Sequence, residues 1–162
     1  MRGSDRVVLV GQAPGPNTNP RHPLHPAPCT SAGGRLLTLT GLHYTEYMTA
    51  FQRVNLLQEF PGRHVRDDKF PRELGRVAAQ SMEPFLEKRV VVFMGRNVAR
   101  AFGYQTLPFH TWQWNSTWNY KLACAPHTSG RNRWYNRLEN RELASSFWLS
   151  LVRDLQLSSE RA

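Results

Sequence analysis

Short apolar runs closed by glycine or proline punctuate the chain, and between them apolar residues recur every three or four positions. Arg6-Val7-Val8-Leu9-Val10 is β-branched and stops at Gly11, as a strand buried on both faces would. Residues 50–57, with Phe51, Val54, Leu56 and Leu57, predict a second strand. Residues 89–94 hold three consecutive valines and a phenylalanine before Gly95 and predict a third. Residues 120–125, stopped by Pro126, predict a fourth. Between the second and third, Leu74, Val77, Ala78, Met82, Phe85 and Leu86 keep helical spacing, with Pro84 expected to kink or shorten that helix. Residues 96–102 predict a short helix closed by Gly103. Leu138, Leu143, Phe147, Leu151, Val152 and Leu155 predict a long amphipathic helix from Asn132 to about Leu157, broken near its start.

Strands and helices alternate, which predicts an α/β fold: a three-layer α/β/α sandwich around a central, mostly parallel, four-stranded sheet. No repeat or linker interrupts residues 1–162, so one domain is expected. In open sheets of this kind, ligand sites form at the carboxyl ends of the strands. Three unusual segments fall there: Gly11 to Asn19, Asn55, and Pro126 to Asn132.

Charge sharpens the picture. The formal net charge is +9, and Lys69, Lys88 and Lys121 are the only lysines, so arginine supplies most of it. Arginine suits forked contacts to phosphate and stacking on bases, which favours a polyanionic partner. The two cysteines, Cys29 and Cys124, cannot by themselves build a four-thiolate site, and no disulfide scaffold is suggested. The N-terminal apolar run is too short for a signal peptide and no membrane span is evident, so a cytoplasmic protein is expected.

The first strand runs into "VLVGQAPGPNTNP". This turn lacks the glycine spacing of a dinucleotide fingerprint, and no Gly-Lys-Ser/Thr follows. The last strand runs into "APHTSGRNRWYN". Together the loops resemble the two motifs of the uracil-DNA glycosylase superfamily. Gly11-Gln12-Ala13-Pro14-Gly15 is similar to the GQDPYH, GEAPG, GINPG and GMNPG forms of the first. His127-Thr128-Ser129-Gly130-Arg131-Asn132 is similar to the HPSPLS, NPSGLN and HPSPRN forms of the second, with Thr for the usual Pro. Val54-Asn55-Leu56 resembles the strand end whose Asn reads the target base, "SAGGRLL" the helix start "GRAGQLL", and "VVFMGRNVARAFG" the "LLLG…A…" segment.

The resemblance implies DNA as partner, base flipping, no cofactor, no metal, and a monomer. Cleaving a base from deoxyribose requires a donor to the base oxygen, a positioned water, and contacts that hold the base out of the stack. His127 matches the donor; as a plain loop residue it would instead be solvated or cap the next helix. Asn55 offers donor and acceptor to a pyrimidine edge, or satisfies backbone. Backbone N–H groups of residues 12–15 suit a base carbonyl or a phosphate. Arg131 stands where a residue wedges into the duplex, and Ser129, Gly130, Asn132 and Arg133 join it as DNA contacts, Asn132 being equally suited to an N-cap. Trp134, Tyr135 and Arg137 extend a basic-aromatic cluster, although Trp134 also suits a core.

Departures from the family pattern bear on substrate. Ala13 replaces the Asp or Asn of several branches and Gln12 the Glu of another, so neither usual water-handling carboxylate is present. Gln12 and Asn17 are the candidates to orient water. No lysine lies in either motif, which implies a monofunctional reaction without a Schiff base. Gly15 stands where one branch has a Tyr that excludes a group on pyrimidine C5, and Cys29 aligns with a stacking Phe of another. With Ala13 and Asn55 they outline an enlarged base pocket, walled by "PNTNPRHPLHPAP" unless that tract is a surface excursion. The iron–sulfur cysteines of the GEAPG branch are absent, so no cluster is expected. The leading expectation is removal of a bulky 5-substituted cytosine, such as glucosylated hydroxymethylcytosine, from phage DNA as anti-phage defence in a bacterial cell. Excision of uracil or another deaminated base, and a catalytically silent DNA-binding relative, are the alternatives.

Overall fold

A computed structural model describes residues 6–63 and 69–161. Valine-rich runs form its centre, because β-branched side chains pack well on a pleated surface covered on both sides. Four strands run parallel: β1 (Val7–Gly11), β2 (Phe51–Asn55), β3 (Val90–Met94) and, later in the chain, β5 (Tyr120–Ala125). Gly11 pairs with Asn55 and Met94 with Ala125, so the neighbouring strands finish level.

Among the described residues the sheet has five strands, not four, in the order β2-β1-β3-β5-β4. The addition is β4 (Gln113–Asn115), antiparallel to β5 on the sheet's edge. It was hidden because a three-residue edge strand carrying an exposed Trp114 shows no run of buried positions. Its turn is closed by Asn115, whose Oδ1 accepts from the Trp118 N–H at 2.9 Å.

Helices cover both faces. On one, Val7, Leu9, Phe51 and Val92 pack with Leu36 of α1 (Ala32–Thr40), Tyr47 of α2 (Tyr44–Ala50), and Trp148 of α5 (Leu138–Glu160). On the other, Val8, Val10, Val91 and Phe93 pack with Ala79 and Leu86 of α3 (Arg72–Leu86) and Val98 of α4 (Arg96–Ala101). Each large side chain buried in this way contributes roughly 1.5–3 kcal/mol. Pro84 does not shorten α3: it sits inside the last turn and the helix continues to Leu86. The expected break at the start of the last helix is a 3-10 turn (Arg133–Asn136) before α5.

Candidate functional site

The order in which successive strands are added reverses at β1: β2 lies on one side of it and β3 on the other. Such a reversal opens a crevice at the strands' carboxyl ends. A cleft of about 880 Å³ occupies it, lined by both motif loops, by the ends of β2 and β3, and by Phe109.

Asn55 ends β2 and is 8% exposed. Its amide lies against Gly11: a Cβ added there would stand 2.5 Å from Asn55 Oδ1. Glycine at position 11 is therefore what lets the amide lie across the strand end. The Leu56 and Leu57 N–H groups donate to Gly11 O and Gln12 O at 2.8 and 2.9 Å, tying the first motif to β2. Among the described residues the N–H groups of Gln12, Ala13 and Gly15 donate to nothing, and all three residues line the cleft. Gln12 Oε1 accepts from Asn97 Nδ2 at 3.2 Å, which leaves the Gln12 Nε2 hydrogens for the cleft.

The loop from residue 12 to residue 31 is stiff. Tyr47 Oη donates to Leu24 O at 2.9 Å, and Ser31 Oγ to Pro28 O at 2.7 Å. Gly33 lets this wall seat on α1, because a Cβ there would overlap the carbonyl oxygens of Leu24 and His25. His25 is consumed in the scaffold, with Nε2 at 3.1 Å from Tyr44 Oη and Nδ1 accepting from the Ala27 N–H at 3.3 Å. Asn17, exposed, lines the cleft along with Asn19 and His22. Cys29 does not: it is exposed, and Ala27 and Pro28 form that part of the lining instead.

The second loop is built around His127, which is half-buried. Its Nδ1 accepts from the Ser129 N–H at 3.0 Å. A nitrogen that accepts carries no proton, so the neutral ring holds its proton on Nε2 and offers Nε2–H as a donor. Thr128, where the family has Pro, is buried, and its hydroxyl donates to Ala32 O at 2.6 Å. Asn132 is engaged at both ends of its amide: Nδ2 donates to His127 O at 2.8 Å while Oδ1 accepts from the Trp134 N–H at 3.1 Å. It is the N-cap of the 3-10 turn and the brace of His127, and its second Nδ2 hydrogen is left for the cleft it lines. Ser129, Gly130, Arg131 and Arg133 line the cleft, and the Arg35 guanidinium covers Gly130, 2.5 Å from where a Cβ would stand. Trp134 is half-buried against Phe109 and His110.

Electrostatically the lining is cationic. Among the described residues it carries Arg63, Arg96, Arg131 and Arg133 and no carboxylate, a field that concentrates anions. Beneath it, burial pushes the Cys124 thiol up to about 11, so this cysteine stays protonated and inert. Burial among aromatic rings holds His110 down to about 4. Among the described residues no group of three or more His, Cys, Asp or Glu is placed to hold a metal ion, and no helix is long and apolar enough to cross a membrane.

Of the sequence-derived candidates, Gln12, Ala13, Gly15, Asn17, Asn55, His127, Ser129, Gly130, Arg131, Asn132 and Arg133 meet in one cleft, and Cys29 stands outside it. Arg96, Asn97 and Phe109 were missed. For the first two a signal existed, since they follow Gly95 at the end of a central strand, where the same argument had pointed in β1, β2 and β5. A comparison with family models and a search of curated proteins both find no match for this chain.

Proposed function

We propose that this chain is a monofunctional DNA glycosylase that hydrolyses the N-glycosidic bond of a flipped-out pyrimidine. The observation that carries the reading is the convergence of His127, with Nε2–H as its donor, and Asn55 in one arginine-lined cleft at the ends of the central strands. In the reaction the C1′–N1 bond breaks with its electron pair leaving on the base. Water adds to C1′, and the proton it gives up ends on the departing base anion, which leaves as the neutral base. His127 donates to the base oxygen as negative charge develops there, and preorganised donors of this kind need no rearrangement at the moment of bond cleavage. Asn55 reads the pyrimidine edge, the free N–H groups of the first motif hold a carbonyl or phosphate oxygen, and Gln12 or Asn17 orients the water. Arg131 and Arg133 hold the backbone.

The polar wall of Asn17, Asn19 and His22 favours a base with a bulky polar group on C5, such as glucosylated hydroxymethylcytosine, over uracil. Such a base belongs to modified phage DNA, and its removal is a defence reaction. The test is incubation with oligonucleotides carrying uracil, hypoxanthine, 5-hydroxymethylcytosine or its glucosylated form, followed by alkali. Strand scission at the modified cytosine supports the full reading. Scission at uracil or hypoxanthine alone makes this a repair glycosylase, and none on any substrate leaves a DNA-binding protein.

A further inference from the structure

We propose that Arg96, lying on Phe109, is the stacking platform for the flipped pyrimidine, an inference that rests on the glycosylase reading above. Arg96 opens α4 immediately after β3. Its Cζ lies 4.0 Å from the Phe109 ring centroid, and Nη1 donates to Leu107 O at 3.2 Å. The guanidinium is thereby held against the ring on one side and at one edge. Phe109 is fixed in turn, edge-to-face with Trp134 at 5.9 Å and bridged to Cys124 of β5. Both residues line the cleft, and Arg96 is exposed.

An extruded base has lost its stacking neighbours, and a site that retains it supplies a flat surface in their place. Cys29, aligned with a stacking phenylalanine, lies outside the lining. Among the described residues the rings that do line the cleft are His22, His25, Phe109 and His127. His25 is tied into the loop, His22 stands edge-on against it at 5.8 Å in the polar wall, and His127 is committed as the donor. Phe109 remains, with Arg96 laid over it. A base therefore meets the guanidinium plane, which is flat, weakly hydrated and permanently charged. The charge has a second use. A pyrimidine leaves as an anion, and a cation against its face stabilises that anion more than it does the neutral base.

The probe is a single-stranded oligonucleotide with one pyrrolocytosine, a fluorescent cytosine whose emission is quenched by stacking. It is titrated with the wild-type protein and with Arg96→Lys, Arg96→Ala and Phe109→Leu, at several salt concentrations, each variant first checked for a wild-type thermal melt. Wild type should quench the probe. Arg96→Lys, which keeps the charge and loses the plane, should weaken quenching at least tenfold while leaving the salt slope of binding unchanged. Quenching by Arg96→Lys equal to wild type, or a loss in Arg96→Ala that Lys restores, makes Arg96 a phosphate contact and overturns the platform. If Phe109→Leu does not fold, Arg96→Lys alone decides. Base release from the modified oligonucleotides is scored separately. Quenching without release overturns the glycosylase reading and keeps the platform, and release without quenching does the reverse.

Discussion

Ser129 donates its backbone N–H to Nδ1 of His127 at 3.0 Å, so one backbone group selects which face of the imidazole can give a hydrogen bond. Protonating Nδ1 would break that contact. His127→Ala should slow base release on the order of 10²-fold or more, the usual effect of deleting one preorganised donor to a developing anion. DNA affinity should stay within a factor of a few. Single-turnover cleavage and fluorescence anisotropy read the two effects. Wild-type turnover in the variant would remove His127 from the chemistry.

Phosphate contacts should dominate affinity. The logarithm of the binding constant should fall linearly with the logarithm of salt concentration, and Arg133→Ala should lower the slope by about one, as loss of a single phosphate contact does. Arg131→Ala should weaken binding more on duplex than on single strands, because a wedge acts only where a stack has been opened. Equal losses on both would reduce Arg131 to a phosphate contact.

Position 15 has room for a side chain. A Cβ on Gly15 would meet only Thr18, at 3.5 Å, and Gly15 does not have a left-handed backbone. Gly15→Tyr should therefore fold and place a ring in the cleft. Action on a cytosine with a sugar on C5 should drop at least ~10²-fold, since each hydroxyl displaced from its partners costs roughly 1–3 kcal/mol. Activity on uracil, measured in the same gel assay, should change less. Equal loss on both bases would place the C5 substituent elsewhere.

Asn97 sets the direction of the Gln12 amide. Asn97→Asp presents only acceptors, so Gln12 must turn Nε2 toward it and Oε1 into the cleft. If Gln12 acts as a donor, the reversal costs about one hydrogen bond, and the cleavage rate at saturating DNA should fall roughly tenfold. An unchanged or faster rate would show that Gln12 works through its oxygen, as the group that accepts from water.

His110 should make folding pH-dependent. Its ring is held at about 4 by burial against Trp134 and Phe147, and Nε2 is buried without a hydrogen-bond partner. In the unfolded chain an unperturbed histidine takes up its proton near 6.5. Between those values the unfolded state binds more protons, so stability falls as pH drops from about 6.5 to about 4 and is level above. The loss should reach roughly 2 kcal/mol once solvent at the half-buried ring is allowed for. His110→Asn, which tolerates the φ of 60° at this site, should flatten that slope in urea melts. An unchanged slope would assign the dependence to other groups.

The parallel strands were legible because burial on both faces forces near-continuous apolar runs, as in Val90, Val91 and Val92. The edge strand around Trp114 was not, because exposed side chains leave no such trace. Helix α2 was missed for a related reason: Tyr47 is its single buried residue and marks no period. The two motif loops were legible as strand ends, which placed Gln12, Asn55 and His127 at the cleft. The path of the loop between β1 and α1 was not, and Cys29 went astray with it. Phe109 had no signal at all, since its place depends on the bridge to Cys124, a contact between segments that only the folded sheet brings together.

Three hydrogen bonds clamp the loop after β5: Thr128 to Ala32 at 2.6 Å, Asn132 to His127 at 2.8 Å, and Tyr135 to Pro126 at 2.6 Å. A loop held this way has little left to order when a ligand arrives. On the proposed function the protein waits with its site assembled, and the timing of capture passes to the nucleic acid. The lifetime of the target's base pair then becomes a filter in its own right. A target in a weakly stacked, readily opening step is taken sooner than the same base in a stiff one, with no protein side chain touching the neighbours that decide it.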